Sequence, residues 1–372
     1  MVVVATSGGG SKAATWTAHV LGMLREDPAL GKRFAESITL VSSVSGGSVG
    51  ALYSLDQYKA PDMPLSKATG QASQSGLNAI AWGMVYPDLL RLIIPFNWLV
   101  DNTNDRGMSI ERALQTQLAH ESADQPDTLL QWSQTIEQQW RPIQVFNTTI
   151  AESGQRLLLS PIAIESPFHT SPFAQAVNFV TLYSKCDLAL ATAARLSATF
   201  PYVTPMARPL SSETCVQAGE PRYHLADGGY FDNFGIMTVL EYLSSLNPQR
   251  YRDQFKRHKI ILIQIRAAPI EGASARGAST DGLAYANVGP LLASLQVQQV
   301  TQIGRNDLEL ELLRQQWARE GIEIESVVFE LHKNVVLSWH LTDGDIQDIV
   351  SDFQGTGNQG SLERLKQIWQ NN

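Results

Sequence analysis

Only two cysteines, Cys186 and Cys215, occur among 372 residues, too few for a disulfide framework; they could pair, but free buried thiols are the expectation. No Cys-x-x-Cys or His-x-x-x-His spacing occurs among them and the seven histidines, so no metal is expected. Positive charge is short as well: 28 Lys and Arg stand against 36 Asp and Glu, a formal net charge of -8. That balance argues against a nucleic-acid partner, which demands a basic face, and it confines any contact with an anionic membrane to something local and apolar.

The P-loop spacing G-x-x-x-x-G-K-[ST] is missing, and so is an unbroken apolar run long enough to span a bilayer. The most apolar and aromatic stretch, Leu77 to Val100, has Trp82, Tyr86, Phe96 and Trp98 but is interrupted by Pro87, Asp88, Arg91, Pro95 and Asn97. It reads either as a cap that meets lipid at an interface or as helices packed over the core. The start of the chain lacks the basic segment of a secretory signal and opens directly inside a strand, so upstream sequence is expected to be missing. A cytoplasmic or peripheral-membrane location is expected.

What the sequence does have is 44% hydrophobic composition, ample for a large core. Val2 to Ala5 is a buried-strand signal, followed by Gly8, Gly9, Gly10, Ser11 and Lys12 and then by apolar residues at helical spacing. Three glycines before a helix expose backbone N–H donors, which suit a phosphate or a developing oxyanion; a plain tight turn is the other reading. Gly8-x-Gly10-x-x-Ala13 also fits a loose dinucleotide fingerprint, but the next strand, Ile38 to Val44, delivers no acidic residue for a ribose, so no cofactor is expected.

That strand delivers Ser45 instead, followed by Gly46, Gly47 and Gly50 and an apolar helix. A serine on a sharp strand-to-helix turn is a candidate nucleophile, although Ser43 replaces the first glycine of G-x-S-x-G and a helix cap would look similar. From about Lys59 to Arg141 a largely helical insertion is expected. Strand character returns at Pro142 to Thr149, with Gln155 to Ser160 as its hairpin partner, and Leu188 to Ser197 reads as an Ala-rich helix. At Leu225 to Gly235 a short strand ends in Asp227, then Gly228 and Gly229, then an apolar helix; the alternatives are a hairpin turn or a carboxylate placed as a base. Lys259 to Ile265 is the clearest buried parallel strand. After it come a Gly/Ala/Ser-rich loop at Gly272 to Gly282, a long helix from about Val288 to Trp317, a strand at Glu323 to Leu331 and terminal helices.

The glycine-rich loop, Ser43-Val44-Ser45-Gly46-Gly47-Ser48 and Asp227-Gly228-Gly229-Tyr230-Phe231-Asp232-Asn233-Phe234-Gly235, in that order, resemble the patatin-like phospholipase family. Asp105-Arg106-Gly107, Asn147-Thr148-Thr149, Leu196 to Pro201 and Leu337-Ser338-Trp339 also look like its bacterial members. The resemblance implies a three-layer α/β/α fold with a mainly parallel central sheet. It implies one catalytic domain over 1–372, with a helical insertion at 59–141 and a C-terminal helical extension at 270–372. It further implies a lipid ester substrate, Ser45 as nucleophile, Asp227 as general base, and Gly8, Gly9, Gly10 and Gly46 as oxyanion donors. Lys12, Gly47, Gly228 and Gly229 would support them. Ser7 and Lys12 depart from the acidic residue and the arginine that the family often has there.

Two competing readings stand beside it. The order Ser45, Asp227, then His332 or His340 allows an α/β-hydrolase triad, in which His340 or His224 could equally be structural. A catalytically silent lipid-binding module is the third.

Overall fold

The computed structural model describes residues 1–59, 64–74, 76–88, 106–118, 127–139, 141–165, 175–199, 222–246, 253, 259–268, 283–335 and 338–371. Its strands are β1 (Val2–Thr6), β2 (Ile38–Val44), β3 (Ile143–Ile150), β4 (Arg156–Leu159), β5 (Val177–Asn178), β6 (Leu225–Asp227), β7 (Ile260–Arg266) and β8 (Ile324–Glu330). The helices are α1 (Gly10–Glu26), α2 (Gly31–Glu36), α3 (Gly46–Lys59), α4 (Leu65–Ala72), α5 (Leu77–Gly83), α6 (Arg106–Gln117) and α7 (Leu129–Gln139). They continue as α8 (Phe179–Leu182), α9 (Leu190–Ser197), α10 (Gly229–Asp232), α11 (Ile236–Ser245), α12 (Leu283–Arg319), α13 (Asp343–Asp352) and α14 (Thr356–Gln370).

The sheet order is β5-β4-β3-β2-β1-β7-β8. The pairs β1/β2, β1/β7, β2/β3, β7/β8 and β4/β5 are parallel, whereas β3 runs antiparallel to β4 and β6. Strand periodicity explains the layers, because successive side chains leave opposite faces of a strand. On β1, Val2 and Val4 enter one apolar cluster with Trp16, Phe34, Phe353 and Leu365, while Val3 and Ala5 enter another with Val239, Leu243 and Trp317. The strand β7 divides the same way, Ile261 and Ile263 to the first and Ile260 and Leu262 to the second. Helices α1, α13 and α14 therefore cover one face and α11 and α12 the other, a three-layer α/β/α fold as expected. A third cluster, including Tyr53, Ile110, Leu114 and Trp132, packs α3, α4, α6 and α7 together.

Chain order runs outward from β1 through β2 to β3 and then resumes on the other side at β7, so the loops after β1 and β2 lie at the switch point where such sheets gather ligands. On β3, Asn147 pairs with Val44, the last residue of β2, and the next residue, Thr148, pairs with Asp227, the last residue of β6. Because β4 covers the other edge of β3 over Phe146 to Thr149, β2 and β6 share one edge and meet there end to end.

Several sequence expectations need comment. Cys186 is disulfide-bonded, not a free thiol; Cys215, the chain's other cysteine, lies outside the described residues. Within 59–141 lie α5, α6 and α7, with a π-helical turn at Met84–Asp88, whereas residues 89–100 lie outside the described ones. So do the loop at Gly272 to Gly282, the segment Phe200 to Pro205 and Asp105. Asp227-Gly228 is no hairpin turn, since β6 pairs with β3 and a helix follows. Among the described residues, no helix is long and apolar enough to cross a membrane.

Candidate active site

The end-to-end meeting of β2 and β6 brings two reactive groups together. The Ser45 hydroxyl donates to Asp227 Oδ2 at 2.7 Å, and both residues are buried, 7% and 4% exposed. Ser45 has φ 52°, the single non-glycine residue with positive φ among the described ones. That left-handed conformation, of order 1–3 kcal/mol for a residue with a side chain, turns the hydroxyl out of the sheet before α3 begins.

The turn fits only because its neighbours are small. A Cβ on Gly46 would lie 2.1 Å from the Gly10 carbonyl oxygen, and one on Gly47 2.5 Å from that of Ser7. Ser43, in place of the first glycine of the elbow, is fully buried and saturated: its hydroxyl donates to the Val145 carbonyl at 3.1 Å and accepts from Ser48 and Gln144. The Ser45 backbone N–H donates to Ser197 Oγ at 3.1 Å, and Ser197 in turn donates to the Asn147 carbonyl at 2.6 Å. Asn147 itself reaches across to Ser42 and to the Ser43 carbonyl.

Asp227 is held on every side by uncharged groups. Its Oδ1 accepts the Gly229 N–H at 2.8 Å, its carbonyl accepts Thr149 Oγ1 at 2.9 Å, and its N–H donates to the Thr199 carbonyl. Burial pushes its carboxyl up from 3.8 to about 6, while the hydrogen bonds from Gly229 and Ser45 work the other way. The group is thus a stronger base than a solvated aspartate.

Of the glycine-rich loop, Gly8 is already engaged, its N–H donating to the Asn233 carbonyl at 2.9 Å. Gly9 and Gly10 precede and open α1 with positive φ, and Gly46 opens α3; among the described residues their N–H groups meet no acceptor. The start of a helix is where backbone donors lack intrahelical acceptors. Lys12 turns away, its Nζ donating to the Val335 carbonyl at 3.0 Å, and burial lowers its pKa. Ser7 ties the loop to the end of β7 by accepting the Ala267 N–H. Gly228 and Gly229 form the start of the turn after β6, with the Gly228 N–H on the Ser197 carbonyl.

The histidines stand apart from this pair. His332 lies against Asp352, His340 donates its backbone N–H to Ser338 and His224 pairs with Glu152; no described histidine is hydrogen-bonded to Ser45 or Asp227. Beside Gly10 and Gly46 opens a cleft walled by Val49, Tyr53, Ala72, Ala79, Ile110, Leu114 and Trp339, with Ser11, Gln71, Gln74, Gln117 and Arg195 as polar members. The wall is braced where Ser338 accepts the Ser11 N–H and Trp339 accepts that of Gly76.

The model of the family described as patatin-like phospholipase matches residues 4–240. The chain belongs to the patatin-like phospholipase family. It is a family of lipid acyl hydrolases, and the match spans well over half of the chain, including both Ser45 and Asp227. No curated protein gives a significant match. Among solved structures, human GIVD cytosolic phospholipase A2 is similar with a TM-score of 0.38 and 13% identity over 71% of this chain and 45% of that one. The type III effector protein ExoU gives 0.36 and 12% over 99% and 53%. The chain therefore spans about half the length of these proteins or less, and likenesses this distant add nothing to the family assignment.

Ser197, Asn147 and Thr149 brace the patatin-like site although the motif pattern assigns them no task. They fall in two of the stretches, Asn147-Thr148-Thr149 and Leu196 to Pro201, that resemble bacterial members of the family, but the bonds they form span 50 to 152 residues of sequence.

Proposed function

We propose that the protein is a serine lipid acyl hydrolase in which Ser45 and Asp227 act as a two-residue catalytic unit. The observation that supports this most is the buried 2.7 Å hydrogen bond from Ser45 Oγ to a carboxylate whose proton affinity is raised by burial.

In this reading Ser45 Oγ bonds to the ester carbonyl carbon as its proton passes to Asp227 Oδ2. The carbonyl π electrons move to oxygen, and the oxyanion is met by the N–H groups of Gly9, Gly10 and Gly46; one such donor is worth about 10² to 10³ in rate. Collapse expels the alcohol, which takes the proton from Asp227 and leaves an acyl ester on Ser45. Water then bonds to the acyl carbon, giving a proton to Asp227. The second collapse frees the carboxylic acid, and Ser45 Oγ recovers its proton from Asp227.

The apolar cleft beside Gly46 suits an acyl chain. At the far end of the α5 segment, Trp82, Met84, Val85 and Tyr86 are about half exposed, and the stretch from Gly76 to Pro87 has no charge. This favours peripheral contact with a lipid surface, where aromatic and aliphatic side chains sit well.

The test is hydrolysis of a short acyl ester. Ser45→Ala and Asp227→Asn are expected to abolish it, while His332→Ala and His340→Ala retain it. Loss of activity with either histidine variant would replace this reading with a triad. Failure of folded wild-type protein to react with a fluorophosphonate would favour a silent lipid-binding module.

A further inference from the structure

Helix α12 lies beyond residue 240, outside the family match, yet it reaches the active site. Gln302, only 4% exposed, directs its carboxamide at the turn after Asp227. Its Nε2 donates toward the carbonyls of Gly229, Tyr230 and Phe231 at 3.2, 3.4 and 3.0 Å, and its Oε1 accepts the Asn233 N–H at 2.8 Å.

The chemistry of a one-turn helix explains why one amide can do this. The carbonyls of α10 have no following turn to accept from, so they converge unsatisfied at its end, while the next N–H points the same way. A glutamine amide presents both a donor pair and an acceptor, and so answers both demands at once. Four residues earlier on α12 Gln298 also donates to the Tyr230 carbonyl, and four residues later Asn306 donates to Asp232 Oδ1 at 2.9 Å. This i, i+4, i+8 seam places three amides on one face of α12.

One end of the gripped turn touches the Asp227 carboxylate and the other holds the glycine-rich loop. Gly229 supplies the N–H that orients the Asp227 carboxylate, and Asn233 supplies the carbonyl that receives the Gly8 N–H. We propose that Gln302 is a positioning residue for the hydrolysis: by fixing the turn Gly229 to Asn233 it aims Asp227 at Ser45 and holds the glycine-rich loop in register with them. The inference rests on the Ser45 and Asp227 reading given above.

A merely structural glutamine would lower stability and leave the chemistry of the folded fraction unchanged. A positioning glutamine alters kcat, because small displacements of a catalytic group cost about 10²-fold. It also alters the acid side of the pH profile. The groups facing Asp227, which are Ser45, Thr148, Thr149, Thr199 and Gly229, are all uncharged, so loosening the Gly229 N–H removes one of two bonds that favour the ionised carboxylate.

The experiment compares full-length wild type, Gln302→Met and Gln302→Glu on a short-chain nitrophenyl ester across pH, with thermal unfolding in parallel. Met keeps the length without the bonds; Glu keeps the acceptor for the Asn233 N–H and turns a second oxygen on three carbonyls. Both are expected to lower kcat about 10- to 100-fold with KM changed less than about 2-fold, and to move the acid limb of kcat/KM to higher pH. Unchanged kcat, a change in KM alone or an unmoved acid limb overturns the inference while leaving the hydrolase reading intact. If both variants lose the fold, Gln302 supports the structure at large and the inference falls. Inactive wild type removes the hydrolase reading and this inference with it.

Discussion

Ser197 accepts the backbone N–H of Ser45 through its hydroxyl oxygen at 3.1 Å and donates its own O–H to the Asn147 carbonyl at 2.6 Å. A residue 152 positions away thus satisfies the N–H of a backbone turn that no regular element could satisfy. Ser48 Oγ, 2.8 Å from Ser197 Oγ, completes the group.

Removing that hydroxyl should leave two buried backbone groups short of a partner. Ser197→Ala is expected to cost about 1–3 kcal/mol of stability, the usual penalty for such orphaned groups. It is also expected to reduce kcat, because the turn that presents Ser45 loses its clamp. Denaturant unfolding and ester hydrolysis measured on the same preparation check both; a Ser197→Ala protein as stable and active as wild type would contradict the assignment.

The raised proton affinity of Asp227 has opposite consequences for activity and stability. In the proposed mechanism Asp227 acts as an ionised base, so kcat/KM should fall as pH drops below about 6. Stability runs the other way: the folded state holds this proton more tightly than the unfolded chain. The contribution is fully present below pH 3.8 and is lost as pH rises toward about 6. A difference of about two pKa units amounts to about 3 kcal/mol that the ionised group costs at neutral pH. Asp227→Asn should therefore be inactive and raise Tm at pH 7, with the gain shrinking in acid. An Asn variant less stable than wild type at pH 7 would refute this.

Gly46 and Gly360 form a matched pair of glycines at which to place a methyl group. At Gly46 the methyl would meet the Gly10 carbonyl at 2.1 Å, whereas Gly360, within α14, has nothing within 4 Å. Gly46→Ala is expected to abolish fluorophosphonate labelling of Ser45 and lower Tm. Gly360→Ala should raise stability by roughly 0.5–1 kcal/mol through helix propensity, with activity unaltered. Side-by-side labelling and melting curves decide it.

Much of the framework was legible because its signals are local. The run Val2 to Ala5, the strand Ile38 to Val44 and the run Ile260 to Ile265 are β-branched, apolar and bounded by turns, and they form the adjoining strands β1, β2 and β7. Ser45 and Asp227 could be picked out because each follows or ends such a strand and is followed by glycine. What could not be read was pairing across distance. That β6 runs antiparallel along the edge of β3 that β2 also uses depends on register, and three residues carry too little periodicity to show it. Likewise Gln302 looks like any polar residue of a long helix until the turn it touches is known. The engagement of the Gly8 N–H by the Asn233 carbonyl has the same origin.

The meeting of β2 and β6 on one edge of β3 also makes the spacing of the reacting pair a matter of counting. Val44 is opposite Asn147 and Asp227 is opposite Thr148, neighbours in sequence, so the distance between the hydroxyl and the carboxylate is set by a single step along the strand, about 3.3 Å. β3 is in this sense the ruler of the site, although it contributes no reacting atom. One residue inserted between Asn147 and Thr148 would shift β6 by that whole step and turn its side chains to the opposite face, separating two groups whose own sequences had not changed.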